Sequence, residues 1–222
     1  MCKFLSGIVF QTGELQTSQY TDSHESLIKW LDLDDSLPIE TRTWVRVEFT
    51  PTDSKDYDKP DKYIFKVDEQ ETPIWFNDEM RARISDEMTG IVKACIIKDK
   101  KKFLLGGKWI LTGEANVDSI ENAMVICMLG TSQVGVMWGT SQVGEMWETS
   151  QVGAMRETSK VGVMWGTSQV GAMRETSQVG EMWGTSQVGV MRETSQVGAM
   201  WETSQVGEMW ETSKVEKDNR IK

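Results

Sequence analysis

A block of nine residues recurs nine times without interruption from Thr131 onward. The first copies read TSQVGVMWG, TSQVGEMWE and TSQVGAMRE, and an altered tenth copy, TSKVEKDNR, begins at Thr212. A unit this short cannot bury its own apolar side chains, so it must stack against neighbouring units. The period therefore predicts a solenoid for this part of the chain.

The pattern of constant and variable positions indicates which side chains face inward. Counted from the threonine, Thr, Ser, Val and Met are the same in all nine full copies, at positions one, two, four and seven. Position six is Val, Glu or Ala, position eight is Trp or Arg, and position nine is Gly or Glu. A position that accepts a charge faces solvent, because burying an unpaired charge is costly. Val and Met are therefore predicted to line the interior.

The spacing within the unit favours strands over helices. Val and Met lie three residues apart, which does not fit one flat strand with a period of two. A glycine in every unit would cost a long helix about 1 kcal/mol each time. We therefore predict a strand, a kink at the glycine and a second strand, with Ser and Val pointing inward before the kink and Met after it. The predicted fold class is an α+β N-terminal domain followed along the chain by a parallel β-solenoid.

Nine residues are too few to enclose a packed interior, so we predict two units, about 18 residues, per coil. This arrangement sorts the residues at position eight into two columns. The candidate binding face is a pure tryptophan column: Trp147, Trp165, Trp183 and Trp201. The opposite face carries a mixed column and the glutamates that follow its arginines: Trp138, Arg156, Arg174, Arg192, Trp210, Glu157, Glu175 and Glu193.

Two interpretations of the tryptophan column remain open. A row of exposed indoles forms a large apolar patch, and such patches usually mark a contact site. Alternatively, the rings stack flat on one another and seal the wall of the solenoid.

The chain divides into four predicted segments. Residues 1–103 form a small α+β capping domain with strands near 4–10, 44–49 and 63–67, and with helices from His24 and within 74–91. Residues 104–130 form degenerate first coils, and residues 131–215 form the nonapeptide solenoid. The charged segment 216–222 is a cap that protects the open sheet end.

Composition argues against several classes of function. The net charge of −10 argues against direct nucleic-acid binding, which needs a basic face. Cys2, Cys95 and Cys127 show no disulfide or zinc spacing, which predicts a reducing, cytoplasmic compartment. No apolar run is long enough for a membrane span, and the N-terminus lacks the apolar core of a signal peptide.

No motif for catalysis or metal binding stands out. His24 is the only histidine and is expected at the surface, in the first turn of a helix. Asp32, Asp34 and Asp35 do not match a calcium loop, and Gly106-Gly107-Lys108 lacks the upstream glycine of a phosphate-binding loop. We therefore predict that the protein is not an enzyme and has no cofactor and no metal site.

The chain resembles a group of phage, mobile-element and bacterial proteins. The shared features are the FLSGIVF start, the GIVKACIIKDKKKFLLGG junction and the run of SQVGxMW or SQVGxMR units. This resemblance implies a phage or mobile-element origin and an intracellular setting, and no activity. A more distant likeness in concept is to pentapeptide-repeat proteins, some of which mimic DNA, although the period here differs and the wall carries Trp and Arg.

These observations support one main hypothesis and two alternatives. The main hypothesis is a non-enzymatic binding protein that presents a rigid, acidic, Trp-lined solenoid surface to a protein partner, as a phage or mobile-element effector or a DNA-mimic-like inhibitor. The first alternative is a structural protein that forms a homodimer or polymer through its Trp face. The second is an aromatic wall that stacks against carbohydrate or single-stranded nucleic acid.

Overall fold

The computed structural model describes residues 4–220, and the chain divides into two compact units between Cys95 and Ile96. This division lies earlier than the predicted boundary at residue 103. The reason is that Ile96–Ile97 and Lys100–Leu105 already pair with later strands of the solenoid.

The first unit contains a four-stranded antiparallel sheet and two helices. The sheet order is β2-β1-β3-β4. Its strands are β1 (Leu5–Phe10), β2 (Leu15–Thr17), β3 (Trp44–Pro51) and β4 (Tyr63–Val67), and its helices are α1 (His24–Trp30) and α2 (Asp78–Cys95). Two short 3-10 turns, Ser54–Asp56 and Pro60–Lys62, lie between β3 and β4. Helix α2 begins at Asp78 and continues to Cys95, past the end of the segment 74–91 in which a helix was predicted.

Helix α1 begins with a side-chain cap. The Ser23 hydroxyl accepts a hydrogen bond from the backbone nitrogen of Ser26 at 3.2 Å, as expected for an N-cap serine. The same hydroxyl donates to Glu25 Oε2 at 2.6 Å, and this hydrogen bond lowers the pKa of the Glu25 carboxyl. On the inner face of the helix, Leu27 and Ile28 are buried in the core of the unit.

The second unit is a parallel β-solenoid made of two sheets, with two units per coil as predicted. The sheet that carries the tryptophan column, here called the tryptophan face, contains β5 (Ile96–Ile97), β7 (Lys108–Leu111), β9 (Met124–Met128), β11 (Gln142–Met146), β13 (Lys160–Met164), β15 (Gln178–Met182), β17 (Gln196–Glu202) and β19 (Lys214–Arg220). The sheet that carries the arginines, here called the arginine face, contains β6 (Lys100–Leu105), β8 (Asn116–Glu121), β10 (Gln133–Trp138), β12 (Gln151–Met155), β14 (Gln169–Met173), β16 (Gln187–Met191) and β18 (Gln205–Met209).

Each inward side chain stacks on its equivalent one coil away. Val152 pairs with Val170, and Met155 pairs with Met173, so the register equals two repeat units. From the second to the second-to-last coil these valines and methionines are at most 1% exposed and form one continuous apolar core. The prediction that Val and Met face inward is confirmed.

The constant Thr and Ser form the corners of the coil. The backbone nitrogen and Oγ1 of Thr167 both donate to the carbonyl oxygen of Glu148, at 2.9 and 3.0 Å, and so join two successive coils. The serine at position two is fully buried, and at Ser204 its hydroxyl donates to the carbonyl of Trp201 at 2.8 Å. The threonine bridges satisfy backbone carbonyls at the turn, which explains why Thr does not vary. Six of the nine buried serine hydroxyls at position two, Ser150 and Ser168 among them, have no hydrogen-bond partner within residues 4–220, so hydrogen bonding alone does not account for the constant Ser.

The glycine at position five is required by the distance between coils. A Cβ atom added to Gly171 would lie 2.5 Å from the carbonyl oxygen of Gly153 in the preceding coil. Strand pairing skips this position, since Val170 pairs with Val188 and the next pair is Ala172 with Val190. The strand is therefore kinked at the glycine, which places Val and Met on the same inner side.

Position nine adopts a left-handed turn conformation, which the sequence analysis did not anticipate. Glu157 and Glu175 have φ values of 56° and 57°, and Gly166 has a φ of 65°. This conformation suits glycine and costs other residues about 1–2 kcal/mol. The choice of Gly or Glu at position nine therefore reflects turn geometry as well as exposure to solvent.

The last two strands end the solenoid in different ways. The segment predicted as a cap, 216–222, continues the solenoid through residue 220, because β19 pairs with β17 in register and places Asp218 opposite Met200. Among the described residues, the charged β19 is the outermost strand of the tryptophan face. On the arginine face, β18 has no further strand beyond it among the described residues, and Met209 and Trp210 are 44% and 54% exposed.

We predict that Gly171→Ala lowers the free energy of unfolding of the solenoid by about 1–3 kcal/mol, because the new methyl group must push two coils apart. Chemical denaturation followed by circular dichroism measures this change. Ala172→Val is the matched control: it adds volume to the same strand at a half-buried position that is Val in other units, and we expect a change within about 0.5 kcal/mol. Equal stability of the two variants would contradict the close approach.

Candidate functional surfaces of the solenoid

The four tryptophans of the tryptophan face form one stack. The ring centroids of Trp147 and Trp165 are 5.2 Å apart, those of Trp165 and Trp183 are 5.5 Å apart, and those of Trp183 and Trp201 are 4.8 Å apart. The angles between the ring planes are 14°, 19° and 7° in the same order. All four side chains are half-buried. The structure thus has the stacked arrangement that the second interpretation of this column describes.

Stacking limits what the tryptophans offer to a ligand. Trp165 and Trp183 have a neighbouring indole on both faces, so only their ring edges reach solvent. A sugar or a nucleobase that binds by stacking needs an open ring face. The inner rings of this ladder provide none, and their main contribution is to close the wall of the solenoid.

A side-chain hydrogen bond links positions six and eight in two units, one in the ladder and one on the arginine face. Trp183 Nε1 donates to Glu181 Oε2 at 2.8 Å, and Trp210 Nε1 donates to Glu208 Oε2 at 3.1 Å. In the nine full units, glutamate at position six occurs only where position eight is tryptophan. Taken alone, position six and position eight each predict only a side chain that faces solvent. Their covariation was the available signal that an outward carboxylate accepts the indole N–H.

The arginine face carries three consecutive arginines at position eight: Arg156, Arg174 and Arg192. The guanidinium of Arg156 lies over the ring of Trp138, with its central carbon 4.8 Å from the ring centroid. Within residues 4–220, no carboxylate lies within ion-pair distance of these three side chains.

The glutamates that follow the arginines in sequence, Glu157, Glu175 and Glu193, are exposed and do not pair with them. Position six beside the arginines is Ala154, Ala172 or Val190, never an acid. The arginine column therefore lies beside small apolar side chains, and its charges are not neutralised by neighbouring side chains of the chain itself.

In the first unit, the structure corrects the expected surface position of His24. The imidazole is only 8% exposed; its Nε2 lies 3.1 Å from the carbonyl oxygen of Val47, and its Nδ1 lies 3.0 Å from Asp68 Oδ2. Ligand atoms of His24, Glu48 and Asp68 all lie within 4.8 Å of one another. Sequence reasoning missed this group because its members are far apart along the chain.

The charged residues near this group serve mainly as ion pairs. Arg42 is 9% exposed and pairs with Glu69 at 3.3 Å, while Arg46 pairs with Asp35 and with Glu69. Arg42, Arg46 and Glu69, together with Asp68, also line a cavity of about 590 Å³. Asp34 accepts hydrogen bonds from the backbone and hydroxyl of Ser36, which is a local turn.

Two of the three cysteines lie in the interior of the described structure. Cys95 and Cys127 are buried free thiols, and Cys2 lies outside the described residues. Of the helices in the described part of the chain, none combines the length and the apolar character needed to cross a membrane.

Comparisons with known proteins return no match: no family model, no curated protein and no solved structure is similar to this chain. The functional interpretation therefore depends on the geometry of the two units alone.

We predict that the tryptophan stack gives an exciton couplet in the ultraviolet circular dichroism spectrum, because indoles about 5 Å apart couple their transitions and the angles of 14°, 19° and 7° between successive ring planes let those transitions depart from parallel. Trp183→Arg divides the stack, and position eight accepts arginine in other units, so we expect the couplet to fall by more than half with the fold retained. Trp210→Arg removes a tryptophan outside the stack and is expected to leave the couplet nearly unchanged. Equal loss in both variants would show that the stack is not the source of the signal.

Proposed function

We propose that this chain is a non-enzymatic binding protein that presents one wall of its solenoid to a protein partner. The observation that carries the proposal is the arginine column, Arg156, Arg174 and Arg192, which has no ion pair within the described residues. A phage or mobile-element origin and a cytoplasmic setting belong to the same proposal, and they rest on the sequence resemblance.

The electrostatic cost of the column argues for an external partner. Successive strands lie about 4.8 Å apart, and two unit charges at this distance repel by about 1 kcal/mol even in water. Trp138 offsets this cost for Arg156 through the cation–π contact at 4.8 Å. Within residues 4–220, Arg174 and Arg192 have no cation–π contact. Carboxylates from a partner, placed along the column, would remove the repulsion and form charge-assisted hydrogen bonds.

The surroundings of the column favour an acidic protein surface over nucleic acid. Glu157, Glu175 and Glu193 follow the arginines, and the whole chain has a net charge of −10, so a continuous phosphate backbone would be repelled. A protein can place a few carboxylates opposite the guanidiniums and small apolar groups opposite Ala154, Ala172 and Val190. Arginine is also among the residues that contribute most to protein interfaces.

Rigidity is the second advantage of this surface. Every coil is fixed to the next by backbone pairing and by the threonine bridges at the corners. A preformed surface loses little conformational entropy on binding, so a modest number of contacts suffices for affinity. The stacked tryptophans contribute to this rigidity from the opposite sheet. In this proposal the stacked tryptophans close the wall of the solenoid, and the arginine face binds the partner.

We expect the tagged protein to capture a specific partner from nuclease-treated bacterial lysate. The triple variant Arg156→Ser, Arg174→Ser, Arg192→Ser is expected to capture at least tenfold less of this partner. Loss of buried charge pairs at an interface accounts for an effect of this size. The matched control is Trp147→Ser, Trp165→Ser, Trp183→Ser, which makes equally many changes at the same repeat position on the other face. Circular dichroism checks that both variants remain folded.

Three outcomes of this capture experiment would change the assignment. Loss of the partner only in the tryptophan variant would move the recognition surface to the tryptophan face. Displacement of the partner by DNA would identify a DNA-binding target and support a mimic-like inhibitor. Absence of any partner in the wild-type capture would contradict the proposal.

A second candidate function is self-association, and the exposed end of the arginine face favours it. Among residues 4–220, β18 is the outermost strand of this sheet, and Met209 and Trp210 at its end are 44% and 54% exposed. An open strand edge with exposed apolar side chains is a template for pairing with a second copy. This contact would use the end of the sheet rather than the tryptophan column.

Sedimentation of the purified protein over a wide concentration range tests the second candidate. We expect a monomer–dimer equilibrium that Trp210→Arg shifts toward monomer by at least fivefold, because a charge replaces the largest exposed apolar side chain at this end. Trp138→Arg, at the same repeat position near the other end of the column, is the control. A monomer at all concentrations would exclude self-association.

A further inference from the structure

We propose that His24, Glu48 and Asp68 of the first unit bind a divalent transition-metal ion such as Zn²⁺. The three residues come from α1, from β3 and from the segment after β4. One potential ligand atom of each lies within 4.8 Å of the other two. This inference is independent of the binding function proposed for the solenoid.

The hydrogen bonding of the histidine fits a metal ligand. Nε2 lies 3.1 Å from the carbonyl oxygen of Val47, which can only accept, so this nitrogen carries a proton. In the neutral imidazole the lone pair is then on Nδ1, the nitrogen that lies 3.0 Å from Asp68 Oδ2. A backbone carbonyl on the second ring nitrogen is the arrangement that fixes the tautomer and the orientation of metal-bound histidines.

The spacing of His24 and Asp68 also fits a small metal ion, and the Glu48 carboxylate, within 4.8 Å of both, must approach by at most about 1.5 Å. Zn–N and Zn–O bonds of about 2.0–2.1 Å in a tetrahedral site place neighbouring ligand atoms roughly 3.3 Å apart. The observed 3.0 Å between Nδ1 and Oδ2 needs only a small opening, and the Asp68 side chain that must move is 54% exposed. Three protein ligands leave one coordination position for water or another ligand.

A divalent cation would neutralise the net negative charge of the three side chains. Glu48 is half-buried on β3, its carboxylate has no hydrogen bond or ion pair within residues 4–220, and Asp68 adds a second carboxylate. A neutral histidine with two carboxylates has a net charge of −2. A simple imidazolium–carboxylate pair between His24 and Asp68 would leave Glu48 without a partner. The nitrogen ligand favours transition metals over Mg²⁺ or Ca²⁺, which prefer oxygen ligands.

The surroundings of the site place it beside an open space. Asp68 also lines the cavity of about 590 Å³ that Arg42 and Arg46 border. Arg46 lies on the same strand as Glu48, two residues away, and is held by Asp35 and Glu69. The fourth metal position is therefore within reach of solvent.

The test is titration of the tag-free, chelator-treated full-length chain with Co²⁺ and with Zn²⁺. We expect one equivalent of Co²⁺ to give visible absorption bands typical of a four- or five-coordinate site, and one equivalent of Zn²⁺ to raise the melting temperature of the first unit. Glu48→Gln, which keeps the size of the side chain, is expected to weaken binding at least tenfold, and His24→Gln to abolish it. Asp61→Asn, an exposed acid of the same unit, is the control and is expected to bind normally.

The competing explanation is an imidazolium–carboxylate pair that binds no metal. Absence of a Co²⁺ spectrum at stoichiometric metal would establish that explanation and overturn the proposal. Unchanged metal affinity in both Glu48→Gln and His24→Gln would place the ion elsewhere and would also overturn it. Glu48→Gln keeps the size of the side chain and is expected to stay folded. Circular dichroism checks the folded state of both variants.

Discussion

The pairing of each strand with its equivalent one coil away is the constraint on which the solenoid depends. In the full units, every side chain lies above a residue at the same repeat position, as the pairs Val170–Val188 and Met173–Met191 show. An inward residue is therefore acceptable only if it packs well against a copy of itself. Val and Met satisfy this condition in the core, and glycine satisfies it at position five because the coils approach so closely that a Cβ would meet a carbonyl oxygen at about 2.5 Å.

The same condition explains why the two faces differ chemically. Tryptophan is compatible with its own copy, since parallel indoles stack at about 5 Å, and the tryptophan face accordingly carries an unbroken column. Arginine meets its own copy with a repulsion between like charges, which the solvent-facing position tolerates. The contact with Trp138 offsets part of this cost for Arg156. In the proposed function, carboxylates of a partner would offset the rest at Arg174 and Arg192.

The sequence predicts the solenoid well because its constraint repeats. The inward Val and Met, the kink at glycine and the sorting of Trp and Arg all follow from a period of nine with two units per coil. The left-handed turn at position nine was not predictable, because Glu and Gly both occur there and only the backbone angle distinguishes a turn from an exposed strand position. The group of His24, Glu48 and Asp68 was equally inaccessible, because it depends on how a helix packs against an antiparallel sheet rather than on spacing.

The two-unit coil also limits how such a repeat can change in length without losing its surface. Adding or removing a single nonapeptide would move every later unit to the other sheet, so tryptophans would enter the arginine column and arginines would interrupt the stack. Only changes of two units preserve both faces. The arginine units that begin at Thr149, Thr167 and Thr185 are separated by whole coils, so their side chains remain in one column. Changes by single units would mix the two columns, whereas here all three arginines lie on one face and the four stacked tryptophans on the other.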